Sequence, residues 1–523
     1  MFVPKFSQKS TGTTYQIYVN GAWRDSSSEI LLPNLNPAHK SQVLGHVSET
    51  TGAEVDGAMR AAEAAFPAWR AVSGNMKTKI FLHLAQILYA RFTDFQETMS
   101  REMGKTLFDC KLDLDEAIGV VECVAPQGLS LKGETYQKNI DGVVMESRLE
   151  PRGVAAIITP FNFPVAIPVA QVLAALVTGN TVVWKPSHLI PESSQAIAAA
   201  LDEAFTWAKE TLNVSVPPGT FNMVSGDVGP GQAVATHPLV KCLSFTGSKA
   251  VGDAVDSAAS GLGKRVMKEV GGINIFYVHR EADIARAAKN FVYGKTITGG
   301  QRCTSIQEVL CDAPVYDAFL AAVLEETKGI VTGDGSSSEL ADADKTPGLY
   351  SLPPLVSEEQ QVRVLGLIEQ SVSQGAKLGH QVPITAALTD EGYYVPFSII
   401  ENVGPENVLY TTEIFGPVGV LTKVKNIYEA ITIVNAKIGI VACIDSRNKD
   451  ASEHFIQSVL RTRVDDGRHG TGAFWATRFG GDRGAGSGNP ALDENMVMGY
   501  VLWKTIYRAY KPFAEPEDDD AGI

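Results

Sequence analysis

From residue 150 onward the chain alternates short β-rich runs with helical stretches, and this rhythm constrains its fold more than any other feature. The β-rich runs lie at 154–158, 181–184, 221–224, 243–245 and 275–278, and helical stretches at 165–177, 193–208 and 251–259 fall between them. Strands separated by helices of that length make βαβ units, in which a parallel sheet is covered on both faces. Nucleotides bind at the carboxyl ends of such strands, beside helix N-termini. A second alternating series follows Gln301, and 333–347, rich in Gly, Ser and Asp, reads as an exposed loop. Upstream, 15–27 alternates around Asn20-Gly21, a hairpin-turn signal. Val55, Met59, Ala62, Phe66 and Trp69, then Ile80, Leu84, Ile87 and Leu88, recur at helical spacing and read as core faces. No internal repeat is evident.

Composition narrows the function classes. At roughly 150 residues per domain, 523 residues allow about three domains, and 45% apolar with 20% charged residues is a globular mixture able to bury several cores. A formal charge of −14, from 45 basic and 59 acidic side chains, argues against a nucleic-acid or anionic-membrane binder. Part of that acidity lies in Glu515-Pro516-Glu517-Asp518-Asp519-Asp520, within an acidic tail spanning 511–523 that reads as a solvated end. Cysteines 110, 123, 242, 303, 311 and 443 form no CxxC pair, so neither a disulfide framework nor a thiolate metal site is expected. Residues 1–15 lack an apolar signal core and arginine, and 165–177 is too short to span a bilayer. The expectation is a cytoplasmic protein.

Three chemistry-bearing residues stand out, each ambiguous alone. Cys303 lies in Gly299-Gly300-Gln301-Arg302-Cys303-Thr304-Ser305. An isolated cysteine is commonly a small buried hydrophobe, but here glycines allow close backbone approach, and a cationic neighbour would favour the reactive thiolate. Cys311, in an apolar run, reads as core. Glu269 in Lys268-Glu269-Val270-Gly271-Gly272, taken alone, reads first as an exposed strand-end charge. Phe245-Thr246-Gly247-Ser248-Lys249-Ala250-Val251-Gly252 follows a strand and opens a helix, a setting that suits a pyrophosphate.

Taken together the motifs are specific. Thr159-Pro160-Phe161-Asn162-Phe163-Pro164, Trp184-Lys185-Pro186-Ser187, Phe245-Thr246-Gly247-Ser248, Glu269-Val270-Gly271-Gly272, Gly300-Gln301-Arg302-Cys303 and Glu413-Ile414-Phe415-Gly416-Pro417 occur in this order. The sequence thereby resembles the aldehyde dehydrogenase superfamily, from about Tyr18 to about Tyr507. The resemblance implies an NAD- or NADP-dependent enzyme that oxidises a small aldehyde, such as a semialdehyde with a distal anion, to its carboxylic acid. It implies Cys303 as nucleophile, Asn162 as oxyanion donor and Glu269 as general base. It further implies cofactor contacts from Thr159, Pro160, Lys185, Ser187, His188, Gly226, Phe245, Gly247, Ser248, Gly252, Glu413 and Phe415.

The implied architecture is α/β: a Rossmann-like NAD(P)-binding domain (1–135 and 152–272), an α/β catalytic domain (273–480), and a small β oligomerisation flap (136–151 and 481–510). Strands at 143–148 and 501–507 would add to a partner's sheet in a homodimer or homotetramer. The pattern departs from the family in two places. His188 stands where many NAD-preferring members carry a glutamate, which leaves a 2′-phosphate less strongly excluded and permits dual use or an NADP lean. The region 461–470 is arginine-rich, and its arginines, with Arg302, either recognise a substrate anion or make surface or intersubunit contacts. The competing readings are a coenzyme A-acylating relative, disfavoured because a hydrolytic Glu269 would waste the thioester, and a catalytically silent scaffold protein.

Overall fold

The computed structural model describes residues 4–9, 12–137 and 142–510; the acidic tail lies outside them. The first large sheet has seven strands, in the order Arg265–Val270, Val240–Gly247, Val154–Ile158, Thr181–Lys185, Phe221–Met223, Ile17–Val19 and Ala22–Arg24. Its five βαβ strands run parallel, and those at its centre are buried end to end, which explains their apolar runs at 154–158 and 182–184. The terminal pair is a hairpin whose turn residues Asn20 and Gly21 both take positive φ, as the Asn-Gly signal requires.

Topology fixes where a ligand goes. Val154–Ile158 pairs with Thr181–Lys185 on one side and Val240–Gly247 on the other, so the strand order reverses there. The register sets Ile158 beside both Lys185 and Phe245, so the segments after all three emerge at one edge. A crevice at such a reversal is the ligand site of open α/β sheets.

The second seven-stranded sheet runs Lys377–Gln381, Ser398–Glu401, Val418–Val424, Ile306–Asp312, Asn274–Val278, Val441–Asp445 and Arg463–Asp466. Every pairing is parallel except that of the Lys377–Gln381 edge strand. The 275–278 run thus starts a new sheet rather than extending the first. Gly271-Gly272-Ile273 carries the chain from the carboxyl edge of one sheet to the amino edge of the next, where Asn274 pairs with Ile306. A third, three-stranded sheet joins Val501–Ala509 antiparallel to Val143–Pro151, with Gly133–Thr135 beyond it.

The helical spacing upstream is realised in Gly52–Ala71 and Gly74–Ala90, which bury Val55, Met59, Ala62 and Trp69, and Ile80, Leu84, Ile87 and Leu88; Phe66 is half-buried. Thr51 and Glu54 close a reciprocal capping box on the first. The 333–347 segment corrects the loop expectation: Ser337 caps a short helix, Ser338–Ala343, that buries Leu340 and Ala343. No helix among the described residues is long and apolar enough to cross a membrane.

Candidate active site

The helix Ile284–Thr296 ends in a run of left-handed residues, Thr298 (φ 58°), Gly299 (φ 60°) and Gly300 (φ 73°), that swings the chain towards Cys303. Gly300 has a second reason to lack a side chain: a Cβ there would fall 2.3 Å from the Gly416 carbonyl oxygen. That approach joins two of the sequence motifs. Asn274 pins the loop from beneath, its Nδ2 donating to the carbonyls of Cys303 (2.7 Å) and Ser305 (3.1 Å). Its Oδ1 accepts from the Ile440 and Val441 amides, at 3.0 and 2.8 Å. Asn162 Nδ2 donates to the Gln301 carbonyl at 3.0 Å, which brings the Asn162 motif against the Cys303 motif.

Cys303, Asn162, Glu269, Glu413 and Phe415 line one cavity of about 210 Å³ at the strand-order reversal. Pro160, Gly247 and Ser248 line it too. Ser187, His188 and Gly226 line a second, smaller cavity beyond it. The remaining expected contacts shape these walls from behind. Thr159 Oγ1 accepts the Trp184 indole N–H at 2.9 Å. Phe245 packs beneath Gly247, and Gly252 lets its helix approach Val270, 2.5 Å from where a Cβ would lie. Lys185 is buried.

The electrostatics revise three expectations. Glu269 is not an exposed strand-end charge but a buried carboxyl, because 485–487 adds along its strand edge: Val270 N–H donates to Ala485 O at 2.9 Å. Its Oε2 accepts the Gly481 amide at 2.5 Å, while Oε1 has no hydrogen-bond partner among the described residues. Burial, aided by Asp482 and opposed by the Gly481 amide, raises the Glu269 pKa to about 8. The Cys303 thiol is likewise pushed up to about 12, by burial and then by Glu413, Glu269 and Glu116. Arg302 opposes this only weakly, so the cationic neighbour does not produce a resting thiolate.

The reason is where Arg302 points. Its guanidinium is buried, donating to Thr298 Oγ1 at 2.7 Å and to the Asp109 carboxylate. Arg461 donates to the carbonyls of Gly439 and Val434, both at 2.9 Å, and Arg463 pairs with Asp465; Arg468 is exposed. None of these four lines either cavity. Glu413, held against Gly271, has its pKa raised to about 7 by burial, despite the Gly272 amide, Arg363 and Lys295.

Sequence reasoning assigned no role to Asn274, Asp109 or Glu116. Asn274 carried a signal, a polar residue heading an apolar strand two residues after Gly271-Gly272. Asp109 and Asp113 stand four apart on one face of the helix Leu107–Val124, and Lys105, just ahead of its cap Thr106, reaches both. Glu116 lines the cavity with no hydrogen bond or ion pair among the described residues.

Comparison with known proteins agrees with this geometry. The chain is 31% identical over 499 residues to an alpha-ketoglutaric semialdehyde dehydrogenase of Bacillus subtilis, covering 94% of this chain and 98% of that protein. Among solved structures, an E. coli NADP dependent enzyme superposes with a TM-score of 0.85 at 26% identity, covering 94% of this chain and 98% of that one. An NAD-dependent aldehyde dehydrogenase from Sinorhizobium meliloti gives 0.86 at 27% identity, covering 96% of each chain. The sequence model of the aldehyde dehydrogenase family matches residues 23–506, and the chain belongs to that family.

Proposed function

We propose that this chain oxidises a short semialdehyde to the corresponding acid with NAD(P) as oxidant, through a thioacyl intermediate on Cys303. The observation that carries the reading is a thiol, an amide donor and a carboxyl lining one cavity. An aldehyde releases hydride only after its carbon becomes tetrahedral, and addition of Cys303 Sγ, whose proton passes to water as the S–C bond forms, achieves that. Asn162 has a second amide hydrogen free to meet the resulting oxyanion, with the Cys303 backbone N–H as partner. NAD(P), when bound, would supply the hydride acceptor. Glu269 then takes the proton of the water that hydrolyses the thioester.

The residues fit such a cofactor. The helix Lys249–Ser260 has no side-chain cap, so its first N–H groups stay free for a pyrophosphate beside Gly247 and Ser248. We read 1–135 and 152–272 as the cofactor domain and 273–480 as the catalytic domain, since the two large sheets draw their strands from these parts. The three-stranded sheet supports a homodimer or homotetramer, because its edge strand Val501–Ala509 exposes Trp503 and Tyr507. Six free cysteines support a reducing, cytoplasmic setting.

Glu269 titrates in the working range, so the pH profile tests its role. Below about 8 the carboxyl is protonated and unable to act as a base. Turnover is expected to fall about tenfold per pH unit below that value. Glu269→Gln should flatten this limb and leave a rapid burst of reduced nicotinamide followed by slow turnover. A limb of the same slope in the variant would remove Glu269 from the mechanism.

Substrate choice follows from the cavity wall. The relative that acts on alpha-ketoglutaric semialdehyde favours a substrate with a distal carboxylate. The arginines of 461–468 do not line the cavity; Glu116 and Gln171 do, and Gln171 Oε1 has no hydrogen-bond partner among the described residues. Burial and then Asp113 raise Glu116 to about 8, so at neutral pH it is an acid that donates a hydrogen bond to a carboxylate. At pH 7 a semialdehyde should exceed an uncharged aldehyde of equal length by about tenfold in kcat/KM. Its KM should rise above pH 8, where Glu116 ionises, and Glu116→Gln should abolish that rise. Preference for the uncharged aldehyde would defeat the substrate assignment while leaving the reaction class intact.

A further inference from the structure

The turn carrying Gly226 is fastened to the segment that follows the strand His39–Ser48. The Ser225 N–H donates to Thr50 Oγ1 at 2.8 Å, the Ser225 hydroxyl to Ser48 O at 2.6 Å, and the Thr50 N–H returns to Ser225 O at 2.9 Å. Gly226 has φ +122°, and a Cβ there would lie 2.7 Å from Pro230 and 3.2 Å from Glu49 Cα. This close approach sets two carboxylates at one corner of the crevice. Glu49 Oε1 accepts the Asp227 N–H at 3.1 Å. The Asp227 side chain precedes the helix Val228–Thr236 but makes no capping bond to it, and its Oδ1 lies 3.4 Å from His188 Nδ1.

Lys185 shares this corner. It is 6% exposed, and among the described residues its ammonium has neither an ion pair nor a hydrogen bond, while Asp227 and Glu49 are the acidic groups whose field reaches it. A buried ammonium without a partner is completed by an acceptor from a ligand. Ribose hydroxyls supply acceptors without adding charge. A 2′-phosphate adds two negative charges beside Glu49 and Asp227, with Glu359 contributing a third carboxylate to the field at His188. Burial lowers the His188 pKa below 6.5, so the imidazole is neutral at pH 7 and does not offset them.

We propose that Asp227, held in place by Glu49, makes this enzyme select NAD over NADP, supplying from the 225–227 turn the carboxylate that position 188 lacks. The inference rests on the reading of Lys185, His188 and Gly226 as the cofactor's adenosine-ribose site. Asp227 accepts from a ribose hydroxyl in NAD and repels the 2′-phosphate of NADP. The NADP lean expected from His188 alone is therefore reversed, because the charge missing from one segment returns on another.

Calorimetric titration of the wild-type chain, Asp227→Asn and Glu49→Gln with NAD and with NADP tests this. The wild type should bind NAD at least about tenfold more tightly than NADP, a ratio that narrows as salt is raised. Asp227→Asn keeps the shape and removes the charge; it should tighten NADP about tenfold and weaken NAD several-fold. Glu49→Gln still accepts the Asp227 amide and should tighten NADP by a smaller factor. Equal wild-type affinities, or an unchanged NAD/NADP ratio in Asp227→Asn, overturn the proposal. A wild-type chain that binds neither nucleotide overturns the cofactor-site reading itself, and the proposal with it.

Discussion

Cys303→Ala is expected to lose at least about 10³-fold in turnover while keeping its affinity for the nucleotide. No other thiol can substitute. Cys110, Cys242, Cys311 and Cys443 are buried in core, and Cys123 lines neither cavity. Without covalent addition the aldehyde carbon stays planar and keeps its hydride. What remains is the binding cavity and the oxyanion donors, and these alone give little rate. Nucleotide affinity should survive because Lys185, His188 and Gly226 lie away from the sulfur, in the second cavity and its surroundings. The loop should survive too, since Asn274 grips the Cys303 carbonyl rather than its side chain. Loss of one sulfur from a half-buried position should change stability by no more than about 1 kcal/mol. Steady-state rates, nucleotide calorimetry and a thermal melt on one preparation check all three statements. A variant that turns over at the wild-type rate would sink the nucleophile assignment, and with it the thioacyl mechanism.

The thiol's resting state adds a second measurement to the same experiment. With its pKa pushed up to about 12, Cys303 is a thiol throughout the physiological range. Alkylation of the free wild-type enzyme by iodoacetamide should therefore be slow at pH 7 and speed up as pH rises.

What the amino-acid sequence revealed, and what it hid, divides along a physical line. Strands such as Val154–Ile158 were legible because a strand buried on both faces must be apolar throughout, and Thr181–Lys185 followed the same rule nearly to the residue. The cavity's occupants were legible because Asn162, Glu269 and Cys303 stand in ordered motifs. Side-chain direction was not legible. Arg302 beside Cys303 looks like an activating or anion-binding cation until Asp109, far away in the chain, is seen to take its guanidinium. His188 without a glutamate looks uncharged on every side until the Gly226 turn is seen to bring Asp227 to within 3.4 Å of it. Glu269 looks solvated until 485–487 covers its strand edge. In each case the deciding partner comes from a segment brought near only by the fold. The short helix Ser338–Ala343 was missed for a local reason: a run of Gly, Ser and Asp reads as loop unless Ser337 is recognised as its cap.

Asp109→Ala should cost about 3–5 kcal/mol of stability and should also impair turnover at temperatures where the fold persists. Asp109 sits in the first turn of the helix Leu107–Val124, where a negative charge suits the helix dipole. It is fully buried together with Lys105 and Asp113, and Arg302 is nearly so. Two cations and two carboxylates thus balance inside the protein. Lys105 Nζ lies 3.0 Å from Asp113 and 3.4 Å from Asp109, and Phe163 packs against both cations. Removing one carboxylate leaves Arg302, among the described residues, with the Thr298 hydroxyl and the Phe163 ring but no ion pair, and an uncompensated buried charge is the expensive outcome. Burial alone would raise the Asp109 pKa, but Arg302 and Lys105 outweigh it and hold it below the usual carboxylate range. By linkage, its stabilisation is fully present at neutral pH and disappears as pH falls through that depressed value. The effect on rate comes through Thr298, a non-glycine residue at φ 58° whose hydroxyl donates to Asp109 at 2.5 Å. Without that bond the left-handed strain at Thr298 is opposed only by the weaker neutral bond to its carbonyl from Gln301 and by a guanidinium no longer anchored at Asp109, and the 298–303 loop should hold the thiol less firmly. Asp109→Asn separates the two roles: it keeps an acceptor for Thr298 but removes the charge, so it should lose stability and retain more of the turnover. Urea midpoints and kcat for both variants decide the matter, and an Asp109→Ala protein with an unchanged midpoint would show that the buried cluster does not hold the Cys303 loop.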